Sequence, residues 1–174
     1  MSGAVHLTGS KVRLDSFAGT DLTPAYVGWL NDPQVVRFSN QRFQTHSTES
    51  CRAYLASFEG SANLFLSVKT LDGRAIGTMS VYRSVPHGTA DVGIMIGERS
   101  CWGGGYGQDA WDTLLGWLLV QPGLRKVTAG ALACNVGMVR LMERSGMTLE
   151  GVRRGQELVE GSPQDIVLYA RFAP

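Results

Sequence analysis

The most informative stretch of the sequence is residues 101–110, which read Cys-Trp-Gly-Gly-Gly-Tyr-Gly-Gln-Asp-Ala. This stretch follows a β-rich run, Thr89–Ile96, and leads into an apolar helix predicted over Gln108–Val120. Its four glycines leave consecutive backbone N–H groups uncovered by side chains, and the positive end of the helix dipole lies behind them. Such a nest binds phosphate. The alternative is a flexible glycine turn ahead of a core helix.

Two familiar phosphate-binding motifs do not fit this stretch. A P-loop places Lys and then Ser or Thr at the start of the helix, whereas Gln108 and Asp109 follow Gly107 here. A Rossmann fingerprint would need its third glycine at position 108 or 110, and the chain has Gln108 and Ala110 there. The nest is therefore predicted to serve another phosphate-bearing ligand.

Composition bounds the class of protein. The 174 residues are 44% hydrophobic and 18% charged, which predicts a single globular domain over residues 1–174. The formal net charge of +1 supplies no general field toward nucleic acid or anionic lipid, so neither partner is expected. The longest apolar stretch, Leu114–Val120, is too short to cross a bilayer, and no signal peptide is visible. Three scattered cysteines favour a cytoplasmic location without a metal site.

Hydrophobic periodicity and turn residues predict the order β-α-α-β-β-β-α-β-α-β-β. Asp72-Gly73 between two β-rich runs indicates a hairpin, and Asn135 and Gly146 bound a helix as its two caps. The order indicates an α/β (α+β) fold with a mixed sheet and helices on both faces. The predicted strands are 12–17, 64–70, 75–82, 89–96, 126–134, 147–153 and 165–172, and the predicted helices are 21–31, 47–58, 108–120 and 136–144.

Five linked segments resemble, in order, those of the GNAT superfamily of acetyl-CoA-dependent N-acetyltransferases. The likeness covers nearly the whole chain and is to the branch that includes the acetyltransferases of ribosomal-protein N-termini. It implies a mostly antiparallel sheet of about seven strands, two of which splay apart at the centre. The matching segments are Ala75-Ile76-Gly77, Asp91–Ile96, Trp102–Ala110, Asn135–Met147, and Leu149-Glu150-Gly151 with Asp165 and Tyr169.

The resemblance implies acetyl-CoA as co-substrate and no metal. The nest would hold the pyrophosphate of coenzyme A through the backbone N–H groups of residues 103–108. The pantetheine arm would lie between the strands Asp91–Ile96 and Val127–Ala133, and the backbone groups of Ile94 and Ile96 would pair with its amides. The small residues of the second strand leave room for the arm, with tight packing of a helix on the sheet as the alternative. The implied cofactor-binding residues are Ile94, Ile96, Trp102, Gly103, Gly104, Gly105, Tyr106, Gly107, Gln108, Asn135 and Arg140.

Two of these residues have a second interpretation. Asn135 caps a helix, and the family also uses this Asn for a contact to the pantetheine arm. Arg140, together with Arg144, would contact the ribose phosphate, and the alternative for both is a solvated helix face.

Acetyl transfer from a thioester to an amine needs a base for the ammonium and donors for the oxyanion. The resemblance implies the backbone N–H near Met95 as the oxyanion donor and Glu157 as the general base. For Glu157 the alternative is an exposed hairpin charge. Asp91 and Glu98 are reserve candidates for the base.

The departing thiolate also needs a proton, and here the chain departs from the family. The related branch has a serine three residues after the Asn, where this chain has Met138, which cannot donate a proton. The proton would come from water, Cys134 or Tyr106, or none would be needed. An inactive acyl-CoA-binding protein is the remaining alternative.

The acceptor is implied to lie against the N-terminal helices, with Asn31, Arg37 and Arg42 as substrate-binding residues. Arginine forks hold diphosphates, and the neighbouring Phe38 and Phe43 can stack on a ring. This stretch resembles that of GNAT enzymes that act on amino sugars. The first expectation is a small amine such as a nucleotide-linked amino sugar, and the second is a protein N-terminus. A homodimer is left open.

Overall fold

The computed structural model describes residues 3–174. Within them, one eight-stranded sheet carries four α-helices, and the strand order is β1-β2-β3-β4-β5-β6-β8-β7. All neighbouring strands are antiparallel except β5 and β6. The predicted fold class is confirmed, with eight strands instead of about seven. The elements are β1 His6–Thr8, β2 Val12–Ser16, α1 Pro24–Leu30, α2 Thr48–Ala56, β3 Leu64–Thr70, β4 Ala75–Ser84, β5 Thr89–Ile96, α3 Tyr106–Leu118, β6 Lys126–Leu132, α4 Val136–Arg144, β7 Thr148–Val159 and β8 Ser162–Phe172.

Near the N-terminus the structure differs from the prediction by one additional strand, β1, and by the first residue of helix α1. The three-residue strand β1 was too short to give a periodic signal. Helix α1 begins at Pro24 and not at residue 21, because the side chain of Thr23 accepts a 3.2 Å hydrogen bond from the Tyr26 N–H as its N-cap. Proline suits the first position of a helix, since that N–H has no partner within the helix.

The closing hairpin of β7 and β8 is longer than predicted. Its strands are joined at Glu160 and Gly161, whose φ angles are 51° and 81°. Two consecutive left-handed residues form the tight turn that suits the twist of a hairpin. Because Glu-Gly is a weaker turn signal than Asn-Gly or Asp-Gly, the sequence prediction left residues 154–164 out of the strands.

The sheet separates two hydrophobic clusters. Side chains alternate along a strand, so the neighbours Phe65 and Leu66 of β3 lie in different clusters. The larger cluster contains Trp111 and Leu114 of α3, and the smaller one contains residues of α1 and α2. The two pairs of helices therefore cover opposite faces of the sheet, as predicted.

The centre of the sheet is split. Strands β5 and β6 pair in parallel only over Thr89–Asp91 and Lys126–Thr128, although both strands continue further. Their outer neighbours stay paired, since β4 follows β5 to Ile96 and β8 follows β6 to Leu132. The predicted splay of the two central strands is confirmed, and it leaves a gap beside residues 92–96.

Candidate active site

The backbone of β5 presents polar groups to this gap. The Gly97 N–H donates a 2.9 Å hydrogen bond to the Ile76 carbonyl of β4. Residues in an antiparallel ladder alternate between facing the partner strand and facing away. Met95, two residues back and paired with Thr78, therefore faces β4, whereas Ile94 and Ile96 face the gap.

This alternation bears on two predicted roles. The backbone N–H and C=O groups of Ile94 and Ile96 face the gap. Their predicted pairing with the pantetheine amides requires this orientation. By this alternation the N–H of Met95 is directed at Thr78 and not into the gap, which disfavours the predicted use of Met95 as the oxyanion donor. The N–H groups in the gap-facing phase are those of its neighbours, Ile94 and Ile96. The Met95 side chain lines the cleft beside α1 and α2.

The glycine loop lies at one end of the gap. Gly105 is the N-cap of α3, so the helix begins at Tyr106 and not at Gln108 as predicted. Gly103 and Gly105 have φ angles of 74° and 81°, in the left-handed region that only glycine enters without strain. Nothing lies within 4 Å of the position that a Cβ of Gly103 would occupy. The loop therefore presents uncovered backbone at the positive end of a 13-residue helix.

Side chains of the loop have unequal roles. The indole N–H of Trp102 donates a 2.7 Å hydrogen bond to the Ile96 carbonyl and so ties the loop to β5. Gln108 is occupied within the protein, since its Nε2 donates to the Ser145 hydroxyl at 2.8 Å. Trp102 and Gln108 line the cleft together with Gly103, Gly105 and Gly107, whereas Gly104 and Tyr106 are not part of its wall.

Helix α4 contributes a further part of the cleft wall. Asn135 caps it, because its Oδ1 accepts a 3.2 Å hydrogen bond from the Met138 N–H. Asn135, Met138 and Arg144 all line the cleft. Arg140 is exposed and is not part of the wall, so Arg144 is the better placed of the two predicted arginines.

One cleft of about 1360 Å³ connects the glycine loop and the gap with the N-terminal helices. Thr78 and Ser80 of β4 belong to its wall, as do Tyr26, His46 and Ser50. Sequence reasoning missed these five residues, because they carry no motif and come from separate segments. Thr78 and Ser80 are polar residues in a strand whose other residues are mostly apolar, and this is the one signal that could have indicated them.

Two of the predicted acceptor residues are held by the protein itself. The side-chain amide of Asn31 donates to the His46 carbonyl and accepts from the His46 N–H, both at 2.8 Å. Arg42 donates to the carbonyls of Ser39 and Leu158 at 2.8 and 3.0 Å. Asn31 and Arg42 line a smaller adjacent cleft of about 420 Å³ and not the main one. These contacts give both residues a structural role in the smaller cleft beside the main one.

Arg37 is the predicted acceptor residue that reaches the main cleft. Its Nε donates a 3.0 Å hydrogen bond to Glu160 at the tip of the β7–β8 hairpin. Both side chains are more than half exposed, so this ion pair contributes little stability and can be exchanged for a ligand. Arg37 and Glu160 line both clefts.

Glu157 lies on β7 and faces the turn of residues 40–43. It accepts a 3.5 Å hydrogen bond from the Asn40 amide, and Arg42 lies 3.9 Å from its carboxylate. Glu157 does not line either cleft. Its catalytic role stays a prediction.

The two reserve carboxylates differ in their surroundings. Asp91 stands where β5 and β6 begin to separate, and the Thr128 hydroxyl donates a 2.7 Å hydrogen bond to it. Desolvation raises the pKa of the Asp91 carboxyl, although the residue as a whole is exposed. Hydrogen bonds from the Ser100 hydroxyl and N–H hold the pKa of Glu98 below its usual value. A raised pKa suits a proton acceptor, so Asp91 is the better reserve.

Solved structures with this fold are numerous. A GNAT-family acetyltransferase from Bacillus anthracis superposes with a TM-score of 0.82 and 18% identity, over 97% of this chain and 99% of that one. Spermidine N-acetyltransferase from Vibrio cholerae, solved with CoA and spermine, superposes with a TM-score of 0.83 and 18% identity, over 94% of this chain and 96% of that one. Ribosomal-protein-S5-alanine acetyltransferase from Vibrio fischeri superposes with a TM-score of 0.82 and 16% identity, over 97% of each chain. No curated protein sequence matches this chain.

A family model described as acetyltransferase (GNAT) domain matches residues 11–148. The chain therefore belongs to the GNAT family of acetyl-CoA-dependent N-acetyltransferases, as its sequence predicted. Its structural neighbours include members of the predicted ribosomal-protein branch. None of the helices within residues 3–174 is long and apolar enough to span a membrane.

Proposed function

We propose that the chain transfers the acetyl group of acetyl-CoA directly to a small primary amine within a ternary complex. The uncovered glycine loop and the split sheet are the observations that carry the proposal. Both belong to one cleft, which continues to the N-terminal helices where an acceptor can enter. Acetyl-CoA supplies a thioester carbonyl to this cleft.

The residues present fit acetyl-CoA. The loop N–H groups of residues 103–108 and the dipole of α3 suit the pyrophosphate. The gap-facing backbone of Ile94 and Ile96 suits the amides of the pantetheine arm, and the same N–H groups suit the oxyanion. Asn135 belongs to the wall of the same cleft, where its side chain already caps α4.

Proton movements complete the chemistry. The acceptor ammonium gives up a proton, for which we retain Glu157 as the proposed base and Asp91 as its reserve. Met138 cannot protonate the leaving thiolate, and neither Cys134 nor Tyr106 lines the cleft. We therefore assign that proton to water.

The wall of the main cleft beside the N-terminal helices favours a hydroxyl-bearing amine over a polyamine. It carries the uncharged side chains of Gln34, Ser39 and Gln41. Among the described residues on this wall Glu160 is the single acid, and Arg37 is bound to it. A polyamine would need free carboxylates, whereas a sugar needs hydroxyl and amide partners. A nucleotide-linked amino sugar is our first acceptor class, because Arg37 can hold a phosphate.

The test is release of free thiol from acetyl-CoA with a panel of nucleotide-linked amino sugars, unlinked amino sugars, spermidine and N-terminal peptides. We expect the nucleotide-linked sugars to give the highest kcat/KM. Turnover of peptides alone would replace the amino sugar by a protein N-terminus. Absence of thiol release with every amine would contradict the proposed function.

A further inference from the structure

Lys11 lies beside the glycine loop, although 94 residues separate it from Gly105 in the chain. A Cβ on Gly105 would stand 3.5 Å from Cε and 3.8 Å from Cδ of Lys11. The ammonium lies 5.7 Å from the centre of the Tyr106 ring. The aliphatic stem of Lys11 therefore passes across the first residues of α3.

Asp109 holds the turn that carries Lys11. Its carboxylate accepts hydrogen bonds from the backbone N–H groups of Ser10, Lys11 and Val12 at 3.0, 2.8 and 3.0 Å. Asp109 belongs to the first turn of α3, so the helix that presents the glycine loop also anchors the Lys11 backbone. A Cβ on Gly9 would come within 2.5 Å of the Asp109 carboxylate, which shows how closely the turn is seated.

Lys11 is exposed, and its ammonium has no carboxylate partner within residues 3–174. Of the ion pairs within residues 3–174, none includes Lys11, whereas Lys69 and Lys126 each contact a carboxylate. A cation at the N-terminus of a helix is repelled by the dipole and by the uncovered N–H groups. Asp109 offsets this repulsion only in part, because its oxygens already accept three N–H groups. An anion between the ammonium and the loop would be attracted by both.

We propose that the Lys11 ammonium binds a phosphate group of coenzyme A and that Asp109 is a positioning residue for Lys11. This inference rests on the proposed function, since it names a further contact for the same co-substrate. Lys11 would act on binding only, far from the amine and the thioester.

The test measures dissociation constants by calorimetry for acetyl-CoA and for its form without the 3′-phosphate. Lys11→Ala is expected to weaken acetyl-CoA binding about tenfold, the usual loss for a charge-assisted hydrogen bond. Lys11→Arg keeps the charge and is expected to bind nearly as the wild type does. Arg52→Ala is the matched control, because Arg52 is an exposed cation on α2, which packs on the opposite face of the sheet from α3.

The two ligands identify the phosphate. A loss with acetyl-CoA alone assigns Lys11 to the 3′-phosphate, and an equal loss with both ligands assigns it to the pyrophosphate. Raising the salt concentration should weaken wild-type binding more than binding by Lys11→Ala. Unchanged affinity in a folded Lys11→Ala variant would overturn the inference and leave the proposed function intact. Failure of the wild type to bind acetyl-CoA would overturn both.

Asp109→Asn separates position from charge. It keeps the Lys11 ammonium but weakens the three backbone hydrogen bonds, so it should lower affinity by less than Lys11→Ala. In the double variant the two losses should be less than additive, because both act through one contact. Fully additive losses would contradict positioning through Lys11.

Discussion

The indole N–H of Trp102 donates a 2.7 Å hydrogen bond to the carbonyl of Ile96. This bond joins the glycine loop to the last residue of β5, on the side of the strand that faces the gap. Two parts of the proposed coenzyme A site are thus held at one relative position, although Trp102 itself is almost half exposed.

Trp102→Phe removes this N–H and keeps an aromatic ring. We expect acetyl-CoA affinity to fall by about three- to tenfold, the usual range for one hydrogen bond. Calorimetry measures the loss. Trp117→Phe, on α3 and outside the cleft wall, is the control and should bind normally. Equal affinity in Trp102→Phe would show that the bond does not set the loop.

Gly105→Val places a branched side chain at the N-cap of α3. We expect acetyl-CoA affinity to fall at least tenfold, or ~1.4 kcal/mol, while the fold survives. Because Gly105 has a φ of 81°, part of any effect is backbone strain. Gly123→Val is the matched control, since Gly123 has a φ of 78° with open space around it. If both variants lose the same affinity, the loop is not the phosphate site.

Glu157→Gln tests the predicted general base at constant side-chain size. We expect kcat to fall by roughly 10²-fold with acetyl-CoA binding intact, because only proton transfer is removed. Steady-state kinetics and calorimetry give the two quantities. Glu150→Gln is the control on the same strand, where it loses an ion pair with Lys126. Normal turnover by Glu157→Gln would move the base to Asp91 or to a water relay.

Arg37→Ala and Arg42→Ala should change different properties, namely KM for the acceptor and thermal stability. Arg37 lines the main cleft, so its loss should raise KM for a nucleotide-linked acceptor and leave acetyl-CoA affinity unchanged. Arg42 donates to Ser39 and Leu158, so its loss should lower the melting temperature. An unchanged KM in Arg37→Ala would count against the nucleotide-linked amino sugar.

Asp15→Asn tests an electrostatic contribution to stability. Burial of Asp15 raises its pKa, but hydrogen bonds from His6 and Arg13 and the Lys69 charge outweigh it and hold the pKa below 3.8. A lowered folded-state pKa stabilises the protein above the unfolded value, and that stability is lost as pH falls through the folded value.

The variant should therefore unfold about 1 kcal/mol more easily at pH 7, and the difference should shrink as pH falls below 3.8. Urea unfolding at several pH values measures it, with the exposed Glu59→Gln as control. A difference that does not change with pH would mean that the Asp15 charge is not involved.

Local signals decided much of the fold. The hairpin at Asp72-Gly73 and the helix cap at Asn135 each depend on residues with a strong local preference, and both were predicted correctly. The glycine loop was predicted in its place, although the helix after it begins at Tyr106 and not at Gln108. The split beside β5 was predicted from the resemblance to the GNAT superfamily. The strand β1 and the tip of the last hairpin were missed, because a three-residue strand has no period and Glu160-Gly161 is a weak turn signal.

The site residues also fall into those that local sequence features predicted and those that only the tertiary structure placed. The sequence alone predicted the loop with its exposed backbone, because that loop depends on its glycines. It also predicted the family and the strand beside the gap, because five linked segments resemble those of the GNAT superfamily. Only the tertiary structure decided that Arg42 and Asn31 bind the protein itself and that Arg144 reaches the cleft in place of Arg140. It also brought Lys11 to Gly105 through the carboxylate of Asp109. Such contacts join segments that are distant in the chain, and no local preference of either segment encodes the distance between them.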